Sequence, residues 1–417
     1  MTLTLRPHQL EALQVMAETR LGTVLVPTGG GKTLIAIMDV VRTLENAGTP
    51  QTIVVVAPRI LLAQQLCSEY MEVLSDRFAN VIPAHIHSGH TPHFSTTNIQ
   101  KIHLFEKMMD TANLHRIYFT TYNSLPRLAE AGVSVDTIMF DEAHNSTRND
   151  FYPATKYFSQ TASRCYYFTA TPRHSVTSKR HGMNESDVYG QVIYNVPAPT
   201  LVQGGFIIPP QVRVKEMEFV AKHELISQRD TNHLISCIDD NNTSKVLVCA
   251  KSVKQIMRMF SETDISQQLD DRGFSYMYIS AKTGGVINGK KVSRTMFFDT
   301  LNEWGKDNNK KFIVLHHSIL SEGINVSGLE SAIFLRTMDH ITISQTIGRV
   351  IRLHKDDAQG MRDGSIRPGD LSSYTKSFGL CIVPVYSKTQ QTVAKSLQAV
   401  VNTVFVEGEA ATTVVRR

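Results

Sequence analysis

An apolar run, Thr23-Val24-Leu25-Val26, leads into Pro27-Thr28-Gly29-Gly30-Gly31-Lys32-Thr33 and then into Leu34-Ile35-Ala36-Ile37-Met38. Strand, glycine turn and helix start in that order restrict the chain to an α/β architecture with the turn at the carboxyl end of a buried strand. Glycine takes positive φ without a Cβ penalty, so successive N–H groups and the amino end of the new helix can all face one anion. Lys32 adds a full charge suited to β- and γ-phosphates, and the Thr33 hydroxyl suits Mg²⁺. Val26 stands where the strict phosphate-loop pattern has its first glycine. On this stretch alone a plain glycine turn therefore competes.

The strand-then-helix alternation recurs along the chain. Apolar strands are predicted at 53–57, 117–122, 137–140 and 166–168, and again at 246–250, 276–279 and 312–315. A chain of 417 residues is long for one core, so two domains are expected. The stretch 199–212, dense in Pro and Gly, reads as a linker between a first domain at 1–198 and a second at 213–388, with a C-terminal helix and tail at 389–417. A polar, glycine-containing segment at 354–377 reads as an exposed loop. Leu10, Leu13, Val15 and Met16 suggest one apolar face on an N-terminal helix that Pro7 starts.

Composition narrows the function less than the motifs do. Hydrophobic residues make up 42% and charged residues 19%, and the net charge is +5. That is a globular, mildly basic chain, compatible with a nucleic-acid partner. The five cysteines are scattered without a C-x-x-C pair, which argues against a zinc ribbon or a disulfide scaffold. No apolar run approaches a membrane span and residues 1–6 lack a signal-peptide core, so no membrane association and a cytoplasmic location are expected, in the host if the source is a phage or virus. His85, His87, His90 and His93, interspersed with Gly89 and Pro92, read as a polar loop rather than a metal site.

Several other stretches carry candidate chemistry. Asp141-Glu142-Ala143-His144 closes an apolar strand, where open α/β sheets bind ligands. Asp141 there suits a Mg²⁺, while Glu142 suits polarising an attacking water; capping the next helix is the competing use of the pair. Thr169-Ala170-Thr171-Pro172 ends another strand with hydroxyls that could link those acids to a moving surface. Gln9, shortly before the glycine turn, has the donor and acceptor needed to read adenine. Gln345, Arg349 and Arg352 fall on one face at helical spacing, and two fork-shaped guanidiniums suit the oxygens of a γ-phosphate. The basic segment 282–294, with Lys290 and Lys291, reads either as a phosphodiester contact or as a solvated loop.

Taken together, the order of these stretches resembles the superfamily-two helicases with a DEAH-type acidic motif. Arg6-Pro7-His8-Gln9 resembles the Q-type motif, Thr28 to Thr33 motif I, Ala57-Pro58-Arg59 Ia, Thr121 to Leu125 Ib, Asp141 to His144 II and Thr169 to Pro172 III. Cys249 to Ser252 resembles IV, Ser321 to Asn325 V and Gln345 to Arg352 VI, with phage branch-migration helicases and type III restriction motor subunits the most similar groups. The resemblance implies an α/β fold of two tandem RecA-like domains, each a mostly parallel sheet flanked by helices, with a short C-terminal strand–helix extension. It implies ATP and Mg²⁺ as cofactors, and a nucleic-acid partner that is DNA rather than RNA. It assigns nucleotide binding to Arg6, Gln9, Thr28, Gly29, Gly30, Gly31, Lys32, Thr33, Gly323 and Asn325, with Asn325 standing where many members have Asp. Metal binding falls to Thr33 and Asp141, catalysis to Lys32, Glu142, Gln345, Arg349 and Arg352, and nucleic-acid contact to Arg59, Thr121, Ser252 and His317. The expected activity is an ATP-driven DNA helicase or translocase. The alternatives are an RNA helicase and a nucleotide-gated clamp that never translocates, against which the complete set Lys32, Glu142 and Arg352 argues.

Overall fold

The computed structural model describes residues 4–217, 225–280, 284–317, 328–336, 338–385 and 388–415. The chain divides into two compact units, one made of Met1–Pro27, Gly31–Val196 and Thr412–Arg417, the other of Thr28–Gly30 and Pro197–Ala411. Each unit is built on its own sheet with its own apolar core.

The first unit contains β1 (Leu21–Leu25), β2 (Thr52–Ala57), β3 (Val81–Ile86), β4 (Phe94–Ser95), β5 (His115–Thr121), β6 (Thr137–Phe140), β7 (Arg164–Thr169), β8 (Arg173–Ser175) and β9 (Gln191–Asn195). Its eight-stranded sheet runs β4-β3-β5-β2-β6-β7-β1-β9, with parallel pairing throughout. Every loop after a strand thus leaves from the same edge. β2 is buried along its whole length, which is why it reads as an unbroken apolar run rather than an alternation. The helix Ile60–Leu74 covers the sheet with Leu62, Ala63, Leu66, Tyr70 and Leu74, a helical stripe. Asp39, wholly buried in the helix Lys32–Glu45, is held by Arg42 and, at 2.6 and 2.8 Å, by the Arg164 guanidinium of β7.

The N-terminal helix Pro7–Glu18 turns a different face inward from the one its apolar residues suggest. It buries His8, Gln9, Ala12 and Met16, while Leu10 is 54% exposed. Polar ties at its start fix the rotation, since Gln9 accepts from Arg6 N–H and donates to Gly31. The expected polar histidine loop is also corrected: His85 lies in β3 and is buried together with His87, their ring nitrogens 2.9 Å apart.

In the second unit lie β10 (Pro210–Glu216), β11 (Lys245–Cys249), β12 (Ser275–Ser280), β13 (Gly284–Ile287), β14 (Lys290–Val292), β15 (Phe312–His316), β16 (Ser331–Phe334) and β17 (Gly379–Val385). They form the sheet β10-β17-β16-β11-β15-β12-β13-β14. Only the β12-β13 and β13-β14 pairings are antiparallel, so the basic segment around Lys290 and Lys291 is an edge hairpin. β17 is interior, paired to β10 and β16, rather than part of an appended extension. The helix Lys388–Val401 follows it, and β18 (Thr413–Val415) then pairs in parallel with β8 of the first unit.

Two expected loops are structured. The stretch 199–212 holds the helix Ala198–Gln203, the buried Leu201, Ile207 and Ile208, and the start of β10. Pro199 sits in the first turn of the helix, Gly204 and Gly205 follow its end, and Pro209 and Pro210 lead into β10, so the breakers punctuate short elements. The segment 354–377 contains the helix Lys355–Asp363 and the short 3₁₀ turn Leu371–Ser373, with Asp357 wholly buried.

Candidate nucleotide and nucleic-acid site

The glycine turn is positioned from both sides. Val26 N–H, just beyond β1, donates to Thr169 O of β7 at 3.2 Å. Gly29 and Gly31 have φ of 87° and 85°, a conformation that disfavours any Cβ. Gly31 precedes the helix that begins at Lys32, so that helix presents its free N–H groups at the turn. A Cβ at Gly31 would lie 2.5 Å from Gln9 Nε2. Gln9 thereby braces the turn: its Oε1 accepts from Arg6 N–H at 2.9 Å and its Nε2 donates to Gly31 O at 3.3 Å. Both ends of the amide expected to read adenine are engaged within the protein. Lys32 Nζ donates to Val26 O at 3.4 Å, arching back over the turn.

The acids leave β6 two strands away from β1 in the sheet. Asp141 N–H donates to Val56 O at 2.8 Å, fixing the strand exit. Glu142 adopts a left-handed φ of 46°, and its Oε2 is buried with no hydrogen-bond partner among the described residues. A strained backbone and an unsatisfied carboxylate oxygen in one residue are what a reactive site retains and a structural cap does not. His144 joins the acids to the end of β7: its Nδ1 lies 3.6 Å from Glu142 Oε2, 3.1 Å from Thr169 Oγ1 and 3.5 Å from Thr171 Oγ1.

Lys32, Thr33 and Asp141 line one small hollow, together with Tyr70 and Met139. Burial, then the adjacent Glu142 carboxylate, push Asp141 up from the usual carboxylate range, while the Lys32 ammonium opposes them. Two crowded carboxyl groups with a buried oxygen lacking a donor fit a divalent cation. Among the described residues no cluster of three His, Cys, Asp or Glu side chains could hold a metal alone.

In the second unit the helix His340–Val350 is started by the Asp339 side chain, which accepts from Thr342 N–H at 2.7 Å. Gln345 and Arg349, one turn apart, are both buried, and Gln345 Nε2 has no hydrogen-bond partner among the described residues. Arg352 lies past the helix end, so the three side chains expected on one helical face are split between the helix and the chain that leaves it. At the carboxyl end of β15, His316 Nε2 lies 3.4 Å from Cys249 Sγ. Burial, then the Arg349 and Arg336 guanidiniums, push His316 down to about 3. Arg336, which no motif singled out, has Nη1 3.0 Å from His317 Nδ1. Its position two residues past the end of an apolar strand was the available signal.

The other expected residues are placed less uniformly. Arg59 caps the start of Ile60–Leu74 and is partly exposed at the carboxyl end of β2. Thr121 is buried, its hydroxyl 3.3 Å from Ser124 Oγ, which corrects its reading as an open phosphate contact. Ser252 accepts from Gln255 N–H at 3.0 Å as a helix cap. Gly323 and Asn325 lie outside the described residues.

Parallel sheets of this order, with a glycine turn and an acidic pair at the ends of strands separated by β7 alone, define a RecA-like α/β protein. Residues 2–174, less than half of the chain, match the sequence family described as type III restriction enzyme, res subunit, and the fold is the tandem RecA-like one of the helicase structures described next. Among solved structures, the ATP-dependent type ISP restriction-modification enzyme LlaBIII bound to DNA superposes with a TM-score of 0.72 at 16% identity, over 100% of this chain and 31% of that one. A nuclease-deletion mutant of the type ISP enzyme LlaGI, in complex with a DNA substrate mimic, gives 0.67 at 16% identity over 98% and 30%. Dbp5 of S. cerevisiae bound to RNA and ADP BeF3 gives 0.58 at 15% identity over 98% and 89%. The chain therefore spans about a third of the length of the type ISP enzymes. No curated protein sequence matches it.

Proposed function

We propose that this chain is the motor of an ATP-driven DNA translocase or helicase. The carrying observation is the hollow shared by Lys32, Thr33 and Asp141 beside the unsatisfied Glu142 carboxylate. In this reading the turn from Thr28 to Gly31 and the amino end of the helix Lys32–Glu45 bind phosphate oxygens through N–H groups, and Lys32 neutralises the β- and γ-phosphates. Thr33 and Asp141 would hold Mg²⁺, which supplies charge neutralisation at the phosphates. Glu142 accepts a proton from the attacking water, and His144 carries the state of that carboxylate to Thr169 and Thr171. Gln345, Arg349 and Arg352 act on the γ-phosphate during turnover, the guanidiniums stabilising the charge that develops there.

DNA is favoured by the family match and by the two DNA-bound type ISP enzymes, which superpose more closely than the RNA-bound Dbp5. RNA is the second reading, because Dbp5 is matched over 89% of its own length. Comparing forked duplex, plain duplex, single-stranded DNA and RNA as stimulators of ATP hydrolysis separates them. Stimulation by DNA well above that by RNA supports the proposal; stimulation by RNA alone overturns its DNA half, and none by any polynucleotide overturns it whole.

A further inference from the structure

A lysine outside every motif holds the carboxyl end of the arginine-bearing helix. Lys376 Nζ donates to Val350 O at 2.6 Å, to Arg352 O at 3.1 Å and to Leu329 O, just before β16, at 2.7 Å. The last carbonyls of a helix have no intrahelical donor, and their partial negative charge attracts a cation. One ammonium carries three protons, and here each finds a carbonyl. The backbone that presents Lys376 is itself pinned: the buried Asp357 accepts from Thr375 N–H at 2.7 Å and from Lys376 N–H at 3.1 Å.

The surroundings explain why this arrangement is demanding. Burial pushes the Lys376 ammonium down to about 7; Glu330 and Asp357 oppose that, while Arg352 adds to it and Cys381 lies close by. Holding a proton in such a place needs the carbonyl cage, so any shift of Val350 or Arg352 costs both hydrogen bonds and charge solvation. Arg349 stands on the last turn that ends at Val350, and Arg352 is itself one of the caged residues.

We propose that Lys376 is a positioning residue for Arg349 and Arg352: it locks the exit of their helix against the loop before β16, and so fixes where the two guanidiniums are offered to the nucleotide. This rests on the ATPase reading above. A misplacement of about 1 Å costs on the order of 10²-fold in rate when a reaction depends on orientation.

The test replaces Lys376 with Met in the full chain and measures polynucleotide-stimulated kcat, affinity for a fluorescent ATP analogue, and amide hydrogen exchange. The expected result is a kcat about 10²-fold lower with analogue affinity unchanged and faster exchange confined to 347–353. Asp357→Asn, which perturbs the backbone carrying Lys376, should lower kcat and speed the same local exchange, each by less, with analogue affinity again unchanged. Lys355→Met, which removes an exposed contact to Lys306 O, should leave them unmoved. An unchanged kcat in Lys376→Met overturns the proposal, as does a joint loss of affinity and protection across the second unit. Should the unsubstituted chain prove to have no stimulated ATPase, the functional reading fails separately, and local exchange at 347–353 alone decides the positioning claim.

Discussion

Glu142 combines a positive φ with a buried oxygen that no donor among the described residues satisfies. If it accepts the water proton, Glu142→Gln keeps the shape and removes the base. Hydrolysis should then fall by roughly 10²- to 10⁴-fold, with nucleotide affinity retained in equilibrium titration. Gly31→Ala tests the turn: it combines a φ of 85° with a Cβ 2.5 Å from Gln9 Nε2, so phosphate binding should be lost, and restored affinity in that variant would count against the cradle. Histidine titration gives a third outcome. Burial, then the Arg349 and Arg336 guanidiniums, push His316 down to about 3, and burial, then the His87 and His93 rings, push His85 down to about 4, against 6.5 when free. The unfolded chain therefore takes up these protons first as pH falls, and folding stability should decline from about pH 6.5 downward through those values. Denaturant melts at stepped pH check the direction; a stability that rises on acidification over that window contradicts it.

Among the elements, the parallel strands were the most legible, because β2, β6 and β11 are buried on both faces and so appear as largely apolar runs. The glycine turn and the acidic pair were legible for a related reason: their chemistry needs particular residues next to a strand end. What escaped was set by polar tertiary contacts. Gln9 and His8 point inward on the first helix because of ties to Arg6 and Gly31, which no hydrophobic period encodes. The segment after Arg352 looked like a loop because its anchors are the buried Asp357 and the half-buried Lys376, charged residues whose backbone partners only the fold supplies. Asp39 is the same kind of device in the first unit, and truncating it leaves Arg42 and Arg164 without their carboxylate. Asp39→Ala should destabilise the first unit by about 3–5 kcal/mol, measured by chemical denaturation; a change under about 1 kcal/mol would mark the pair as a surface-type bridge.

At the scale of the whole molecule, each of two RecA-like units carries candidate site residues at its strand ends, and the proposed function makes the chain a motor. A motor of that kind grips the phosphodiester backbone, and the net charge of +5 is in keeping with it. Affinity for duplex DNA should drop steeply and log-linearly with salt, with little dependence on base sequence; titrations at several salt concentrations that show a flat response would contradict backbone gripping. The central claim of the proposed function is that Arg349 and Arg352 stabilise the charge that develops during ATP hydrolysis. Single-turnover ATP hydrolysis by Arg352→Ala, with nucleic acid and nucleotide both saturating, tests it most directly. We expect nucleotide to bind as in the unsubstituted chain while hydrolysis falls by roughly 10³- to 10⁵-fold; hydrolysis at the unsubstituted rate would contradict the claim.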